Sequence, residues 1–203
     1  MSDHRGPGPA PDEPNDTPQL QTARLELSFG KPEDADALFP YVHGDPGRVV
    51  TDTLLWDGPD DPKDIREYLR AHAVAPFEPD GFNWVIRDRL GSLSGEKGRA
   101  IGAIGIRPTG RRGEADIGYW IAPPYWNQGL MTEAVAALVR HAFEHWGCTL
   151  VAADAFSFNA ASRRLLEKLG FREVREQPGY VIKRGTPVDG HRYEILPGEL
   201  KEP

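Results

Sequence analysis

A glycine-bearing segment, residues 125–133, stands directly before the most regular amphipathic pattern of the sequence and reads Tyr-Trp-Asn-Gln-Gly-Leu-Met-Thr-Glu. The first turn of a helix presents backbone N–H groups without internal partners, and together with the helix dipole these groups attract an anion such as a pyrophosphate. Gly129 would let the backbone approach phosphate oxygens without a Cβ in the way. No lysine follows in the Walker pattern, which argues against a nucleoside triphosphate. An ordinary strand–turn–helix connection would have the same local pattern, so the segment alone leaves both interpretations open.

Two other segments carry side chains that could take part in proton transfer. Asp116 opens an alternating, strand-like segment that ends at Pro123-Pro124, and Ser162 follows Asn159 at the start of a short helix. A carboxylate could take a proton from an attacking amine, and a hydroxyl could donate one to a leaving group. A charge at a hairpin end, or a serine bonded to its local backbone, would explain the same residues without chemistry.

A His-x-x-Glu-His pattern runs from His141 to His145. Two histidines one turn apart could share a metal ion on one helix face, as in a zinc hydrolase. The pattern lies inside an amphipathic helix, and no third ligand stands at a suitable place in the sequence. A solvated helix face is therefore the preferred interpretation, and we expect no metal.

The composition of the 203-residue chain excludes several classes of protein. A net charge of -7 without a basic stripe argues against a nucleic-acid partner. The absence of a secretory segment and of a long apolar run argues against export and against a membrane span. The single cysteine, Cys148, cannot form an internal disulfide, so a cytoplasmic location is expected.

The pattern along the chain predicts one folded domain over residues 21–203, preceded by a disordered tail over residues 1–20, which are rich in Pro, Asp and Gly. Hydrophobic periodicity predicts a mixed α/β sheet. The predicted strands are 22–27, 83–87, 100–106, 115–122, 149–156, 171–174 and 193–196. A first helix is predicted to start near Lys31, and further helices cover 60–74, 129–146 and 160–169.

The order of these segments resembles the GNAT N-acetyltransferase superfamily, in particular its ribosomal-protein-alanine acetyltransferase (RimJ/RimL-type) branch. The resemblance covers residues 22–196. It rests on an opening Thr-x-Arg-Leu, an Ile-Gly-Tyr-Trp-Ile strand, a Gly-x-x-Thr-Glu-Ala helix start and Asn-x-x-Ser before Leu-Gly-Phe. It implies a single α/β (α+β mixed) domain with a central, mostly antiparallel, splayed sheet flanked by helices. It also implies transfer of an acetyl group from acetyl-CoA to an amine, with the pantetheine arm lying in the splay like an added strand.

The resemblance implies catalytic roles for Asp116, Ser162 and Ile121. The main chain near Ile121, where the strand would bulge, would bind the developing oxyanion. Asp116 would take the proton of the amine, directly or through water, with Glu114 as a second choice. Ser162 would lie near the thioester sulfur and assist the leaving thiolate, although nothing in the sequence excludes two tyrosines as donors, Tyr119 and Tyr180.

The resemblance also implies a set of cofactor-binding residues. Asn159 would cap its helix and contact the pantetheine amide. The full set is Trp120, Ile121, Ala122, Trp126, Asn127, Gln128, Gly129, Leu130, Met131, Thr132, Asn159 and Ser162. Three aromatic residues are candidates for the wall of the acceptor pocket, although aromatics are more often simple core: Trp56, Phe82 and Trp84.

The phosphate loop departs from the family pattern, Gln/Arg-x-x-Gly-x-Gly/Ala, at three positions. Trp126 stands at the Gln/Arg position, Asn127 at a place often held by Gly, and Met131 at the last small position. Main-chain contacts to phosphate would tolerate Trp126, whereas Met131 would narrow the pocket. A module that binds a CoA ester without transferring its acyl group is therefore an alternative to an enzyme.

The sequence leaves the acceptor open. A small-molecule amine and a protein N-terminus are both expected substrates of such an enzyme. Nucleic acid and membrane are not expected partners, and a homodimer is compatible with the family although no interface can be identified from the residues.

Overall fold

The computed structural model of the protein describes residues 19–72 and 82–203. Within them the chain forms one eight-stranded sheet flanked by five α-helices. The strands are β1 (Leu20–Gln21), β2 (Leu25–Phe29), β3 (Phe82–Asp88), β4 (Ala100–Pro108), β5 (Glu114–Ile121), β6 (Leu150–Phe156), β7 (Arg172–Lys183) and β8 (Thr186–Ile195). The helices are α1 (Asp34–Leu38), α2 (Gly44–Thr51), α3 (Pro62–His72), α4 (Leu130–His145) and α5 (Ala160–Leu169).

The sheet is mostly antiparallel, with the strand order β1-β2-β3-β4-β5-β6-β8-β7. β5 and β6 form a parallel pair, and their pairing covers three positions, Glu114/Leu150, Ala115/Val151 and Asp116/Ala152. Beyond these positions β5 stays paired with β4, and β6 stays paired with β8. The two halves of the sheet therefore separate and leave a V-shaped opening. This arrangement confirms the predicted single domain with a splayed, mostly antiparallel sheet.

The longest helix, α4, covers one face of the sheet. Its apolar stripe, which includes Val135, Leu138 and Val139, is buried against the central strands. In the described part of the chain, no helix combines the length and the apolar character that crossing a membrane requires.

The first three helices cover the opposite face. Leu38, Ile65 and Leu69 pack in a second apolar cluster against this side of β3. A buried ion pair ties α1 to β3, because Arg87 Nη1 and Nη2 donate to the two carboxylate oxygens of Asp34 at 2.6 and 2.7 Å. Such a bidentate pair fixes orientation as well as distance.

Several boundaries near the N-terminus differ from the predictions. Leu20 belongs to the fold rather than to a tail, since it pairs with Leu27; residues 1–18 lie outside the described residues. Helix α2 was not predicted, because its sequence, Gly-Asp-Pro-Gly, is typical of a turn. The helix predicted to reach residue 74 is described as far as His72.

The last two strands are much longer than predicted, at 12 and 10 residues. Pro178 and Gly179 suggest that the strand ends there. In the structure β7 continues past them, with a shift in register to β8 between Gln177 and Val181. β7 is an edge strand, where a missing N–H is tolerated. β7 and β8 consequently form one long hairpin, whose tip reaches the α2–α3 loop.

Candidate active site

The edge of β5 provides main-chain groups to the opening. The Ala122 amide donates to the Ile101 carbonyl at 2.9 Å, so the even-numbered residues at this end of β5 face β4. Because main-chain groups alternate between the two edges of a strand, the N–H groups of Tyr119 and Ile121 point toward the opening. Those of Trp120 and Ala122 point toward β4. Ile121 is thus placed where its amide can donate to an extended ligand or to a negatively charged oxygen.

The bulge expected in β5 near Ile121 is not present in the described ladder. β4 and β5 pair without a register shift from Gly102/Ile121 to Pro108/Ala115. The strands instead approach closely at Gly102, where a Cβ would clash with the Trp120 carbonyl oxygen. The register shift of this region lies on the other side of β4, opposite Ile86 and Arg87.

The loop between β5 and α4 is fixed to the end of β5 by Trp126. Its indole Nε1 donates to the Ile121 carbonyl at 2.7 Å. Gly129 is the N-cap of α4 with φ 74°, and Asn127 also has a positive φ, 59°. Both positions need a left-handed backbone conformation. Glycine adopts it without steric cost, and asparagine is one of the residue types that tolerate it.

The loop exposes residues 126–129 to solvent, whereas the residues that begin α4 are buried. Leu130, Met131 and Thr132 are all buried, and Met131 packs in the main apolar cluster. Met131 does not narrow the loop as the sequence suggested, because its position belongs to the apolar stripe of α4. The loop therefore presents a helix N-terminus to solvent, which suits a phosphate group.

Arg24, directly before β2, holds this loop in place through its side chain. Its Nη1 donates to the Gln128 carbonyl at 2.9 Å, and its Nη2 lies 2.7 Å from Oε2 of Glu133. The Thr22 hydroxyl donates to the same carboxylate. Burial opposes ionisation of Glu133, but the hydrogen bonds from Thr22 and Arg24 outweigh it and lower its pKa. The opening Thr-x-Arg thus belongs to the loop architecture, a role that sequence reasoning did not assign.

Ser162 and Tyr119 face each other beside the opening, with their hydroxyl oxygens 2.9 Å apart. Asn159 caps α5 as predicted, because its Oδ1 accepts from the Ser162 amide at 3.1 Å. The Ser162 hydroxyl therefore contacts the Tyr119 phenol as well as standing in a capped first turn. Burial raises the pKa of Tyr119 well above its usual range, so the phenol keeps its proton.

A cluster of charges lies where β5 and β6 separate. Arg192 of β8 pairs with Asp116 of β5 at 2.7 Å and with Asp154 of β6 at 3.1 Å. Burial disfavours the charge on Arg192, but the two carboxylates outweigh it and raise its pKa. The Tyr180 hydroxyl donates to Asp154 at 3.1 Å, and burial together with Asp154 raises the pKa of Tyr180 to about 12. We call Asp116, Asp154, Tyr180 and Arg192 the charge cluster.

A cavity of about 840 Å³ lies beside these groups. Its lining includes Asp116, Tyr119, Asn159, Ser162 and Tyr180, but it does not include Ile121, Arg192 or the loop over residues 125–132. Two of the predicted wall residues, Trp56 and Trp84, also line it. The side chain of Phe82 lies outside the described residues.

Comparison with known proteins agrees with this geometry. The family profile described as "Acetyltransferase (GNAT) domain" matches residues 24–172. The chain belongs to the GNAT acetyltransferase family. This membership supports an enzyme over a binding-only module, and the family uses acetyl-CoA as its acetyl donor.

The acetyltransferase is 29% identical to the N-acetyltransferase YoaA of Bacillus subtilis (strain 168) over 180 residues, which make up 88% of this chain and 97% of YoaA. It shares its fold with a GCN5-related N-acetyltransferase from Brucella melitensis, at a TM-score of 0.75, 18% identity and coverage of 95% and 83% of the two chains. The same fold is found in RimL, a ribosomal L7/L12 alpha-N-protein acetyltransferase in complex with coenzyme A. The TM-score is 0.73 and the identity 16%, with coverage of 86% of this chain and 95% of RimL.

Two groups singled out in the sequence lie apart from the acetyltransferase cavity. Glu114 is near Arg111, at 3.7 Å, and is not among the residues that line the cavity. The rings of His141 and His145 stack at 4.4 Å. In the described part of the chain, these histidines do not belong to a group of three candidate metal ligands.

Proposed function

We propose that this acetyltransferase transfers an acetyl group from acetyl-CoA to a primary amine by direct attack, with both substrates held at the opening between β5 and β6. The observation that carries the proposal is the edge of β5, which faces the opening and leads directly into the N-terminus of α4. When bound there, acetyl-CoA supplies an activated acetyl thioester. Binding, orientation and proton transfer are the tasks of the protein.

The donor site consists mainly of main-chain groups. The amides of residues 127–132 would bind the pyrophosphate, with Gly129 at the closest approach. The amide of Ile121 would donate to the thioester oxygen as it gains negative charge. Asn159 uses its Oδ1 for the helix cap, so its Nδ2 is left to donate to the pantetheine arm.

The Ser162–Tyr119 pair is suited to the leaving group. Ser162 would donate its proton to the departing thiolate and take up the proton that the attacking nitrogen loses as the amide forms. The raised pKa of Tyr119 keeps its phenol protonated at neutral pH, so Tyr119 would position the serine by a hydrogen bond and keep its own proton.

The charge cluster is suited to the acceptor. The amine enters as an ammonium ion and must lose a proton before it attacks. Asp116 and Asp154 provide two carboxylates against one guanidinium, that of Arg192, and attract the cation. We assign proton removal to Asp116, through water, with Arg192 fixing the position of the carboxylate. Tyr180 is less suited to act as a base because its pKa is raised.

This chemistry serves any unhindered primary amine. A protein N-terminus, as in the ribosomal-protein-alanine branch, and a small-molecule amine both satisfy it. The likeness to RimL supports the fold, so the choice between them depends on the acceptor side of the cavity of this chain.

Two measurements test the proposal. Coenzyme A should raise the melting temperature by several degrees, since a ligand at about 100 times its Kd stabilises the folded state by about 2.7 kcal/mol. Acetyl-CoA should release free thiol in the presence of a primary amine, with an acetylated product visible by mass spectrometry. No melting shift at millimolar coenzyme A, together with no calorimetric signal, would exclude the donor site.

A further inference from the structure

The tip of the β7–β8 hairpin is fastened to the α2–α3 loop. Lys183, the last residue of β7, is only 8% exposed. Its ammonium donates to the Trp56 carbonyl at 2.7 Å and lies 2.6 Å from the Asp57 carboxylate. A buried lysine costs stability unless it is paired, so these two contacts hold the tip in place.

Arg184 makes the second set of contacts from the same tip. It pairs with Asp52, approaches Asp57 at 3.8 Å and donates to the Thr51 hydroxyl at 3.3 Å. Its φ is 47° and that of Gly185 is 80°, as in a two-residue hairpin turn that usually has Asn or Asp in the first place. An arginine in this conformation is strained, and such strain persists where the surroundings impose it. We call these residues the latch: Thr51, Asp52, Trp56, Asp57, Lys183 and Arg184.

The latch joins two segments that line the cavity. Trp56 and Pro59 come from the α2–α3 loop, and Tyr180 comes from β7. The Tyr180 ring lies against Gly190, where a Cβ would come within 2.9 Å of it. The hairpin therefore bridges the acceptor side of the cavity from the charge cluster to Trp56.

The acceptor side of the cavity combines aromatic surface with negative charge. The described lining includes Trp56, Tyr68, Trp84, Phe156 and Tyr180. The lining also carries four carboxylates, those of Asp60, Asp64, Asp116 and Asp154, and one guanidinium, that of Arg107. Arg192, just outside the lining, pairs with Asp116 and Asp154, so two guanidiniums face four carboxylates. Aromatic faces and carboxylates both attract an organic cation with an apolar body.

We infer that the latch closes the acceptor site over a small primary amine attached to an aromatic body and thereby excludes a polypeptide N-terminus. This inference rests on the proposed function and specifies its acceptor. A protein N-terminus is followed by a chain that must leave the site, and the contact between Lys183 and Trp56 would restrict that exit. A small amine needs no exit while it reacts.

The test compares three acceptors in a thiol-release assay with acetyl-CoA: phenethylamine, ethylamine and a hexapeptide with a free N-terminus and no ionisable side chains. The parent protein should use phenethylamine at least about tenfold better, in kcat/KM, than either of the others. Lys183→Met keeps the length of the side chain but removes the ammonium, and Asp57→Asn removes its carboxylate partner while leaving the Trp56 contact. In each variant, the ratio of kcat/KM for phenethylamine to kcat/KM for the hexapeptide should fall by at least about threefold.

The controls are Lys97→Met and Asp45→Asn, which change exposed residues outside the cavity lining. Both should retain the acceptor preference of the parent, and all four variants should keep the melting shift with coenzyme A. A parent protein that prefers the hexapeptide, or latch variants with an unchanged ratio, would overturn the inference while leaving the proposed function intact. Absence of thiol release with every acceptor, together with no melting shift, would overturn both.

Discussion

The donor side, which comprises the β5–α4 loop and the α5 cap, and the acceptor side of the cavity are built in different ways. On the donor side, most contacts that shape the loop and the cap are local: Trp126 contacts Ile121 five residues away, and Asn159 caps α5 at Ser162 three residues away. On the acceptor side, the shaping contacts join distant segments, with Lys183 and Trp56 separated by 127 residues. The donor side presents main chain, whereas the acceptor side presents side chains. Changes to the backbone should therefore weaken donor binding, and changes to charged side chains should alter acceptor preference.

The largest expected effect is on turnover, at the boundary between the two sides. Ser162→Ala removes the hydroxyl that faces Tyr119 but keeps the amide that Asn159 caps. We expect kcat to fall by about a hundredfold, as for the loss of a proton donor, with affinity for coenzyme A nearly unchanged. Steady-state kinetics and calorimetry measure the two quantities. Ser92→Ala, in an exposed loop, is the control. Equal kcat in Ser162→Ala and the parent would show that the serine serves the helix alone.

The next effect tests the main-chain character of the donor side. Gly129→Val places a branched side chain where phosphate should approach, at a φ of 74°. Affinity for coenzyme A should fall at least about tenfold, which corresponds to roughly 1.4 kcal/mol. Gly147→Val is a matched control at the other end of α4, because Gly147 also has a positive φ, 66°, and no atom lies within 4 Å of its ideal Cβ. Similar affinities in the two variants, measured by calorimetry on folded protein, would remove the loop from the site.

A smaller effect is expected from Arg24, which makes long-range contacts on the donor side. Arg24→Met breaks the contacts to Gln128 and Glu133, and coenzyme A affinity should fall about threefold, or roughly 0.7 kcal/mol. Arg140→Met is the control, since Arg140 has the same 39% exposure and pairs with Glu202 at 2.8 Å. If calorimetry shows equal losses for both variants, Arg24 does not position the loop.

The last effect concerns stability and its pH dependence, with no change expected in turnover. The pKa of Glu133 is lowered in the folded protein, so its contribution to stability is present above its unfolded pKa, near 4.3, and is lost as pH falls through the folded value. Glu133→Gln should reduce the free energy of unfolding at pH 7 by on the order of 1 kcal/mol. Urea unfolding should show that difference shrinking below a pH of about 4. Glu202→Gln, at an 80% exposed side chain, should show no such trend. A difference that is constant with pH would contradict the assigned hydrogen bonds.

The local character of the donor side explains why the sequence predicts it. A glycine before an apolar stripe, and an asparagine before a short helix, are patterns that short-range physics produces. The structure accordingly has α4 beginning next to Gly129 and α5 capped by Asn159. The splay was implied by the resemblance and is seen in the short pairing of β5 with β6.

The acceptor side could not be predicted because its contacts cross the whole chain. The periodicity near Pro178 and Gly179 suggests loops, although tertiary pairing extends β7 through them to Lys183. Nothing near Lys183 in the sequence indicates that its ammonium is buried against Trp56. Likewise, the alternation that places Asp116 on β5 does not reveal Arg192 opposite it. Partners of this kind emerge only when the sheet order is known.

Hydrogen exchange with and without coenzyme A tests the central claim most directly, because it locates the donor without a mutation. The account predicts slower exchange at the amides of Tyr119 and Ile121 and across residues 127–132, with the end of α4 near Gly147 unchanged. Protection confined to other parts of the protein, or none at saturating coenzyme A, would contradict a donor site at the opening between β5 and β6.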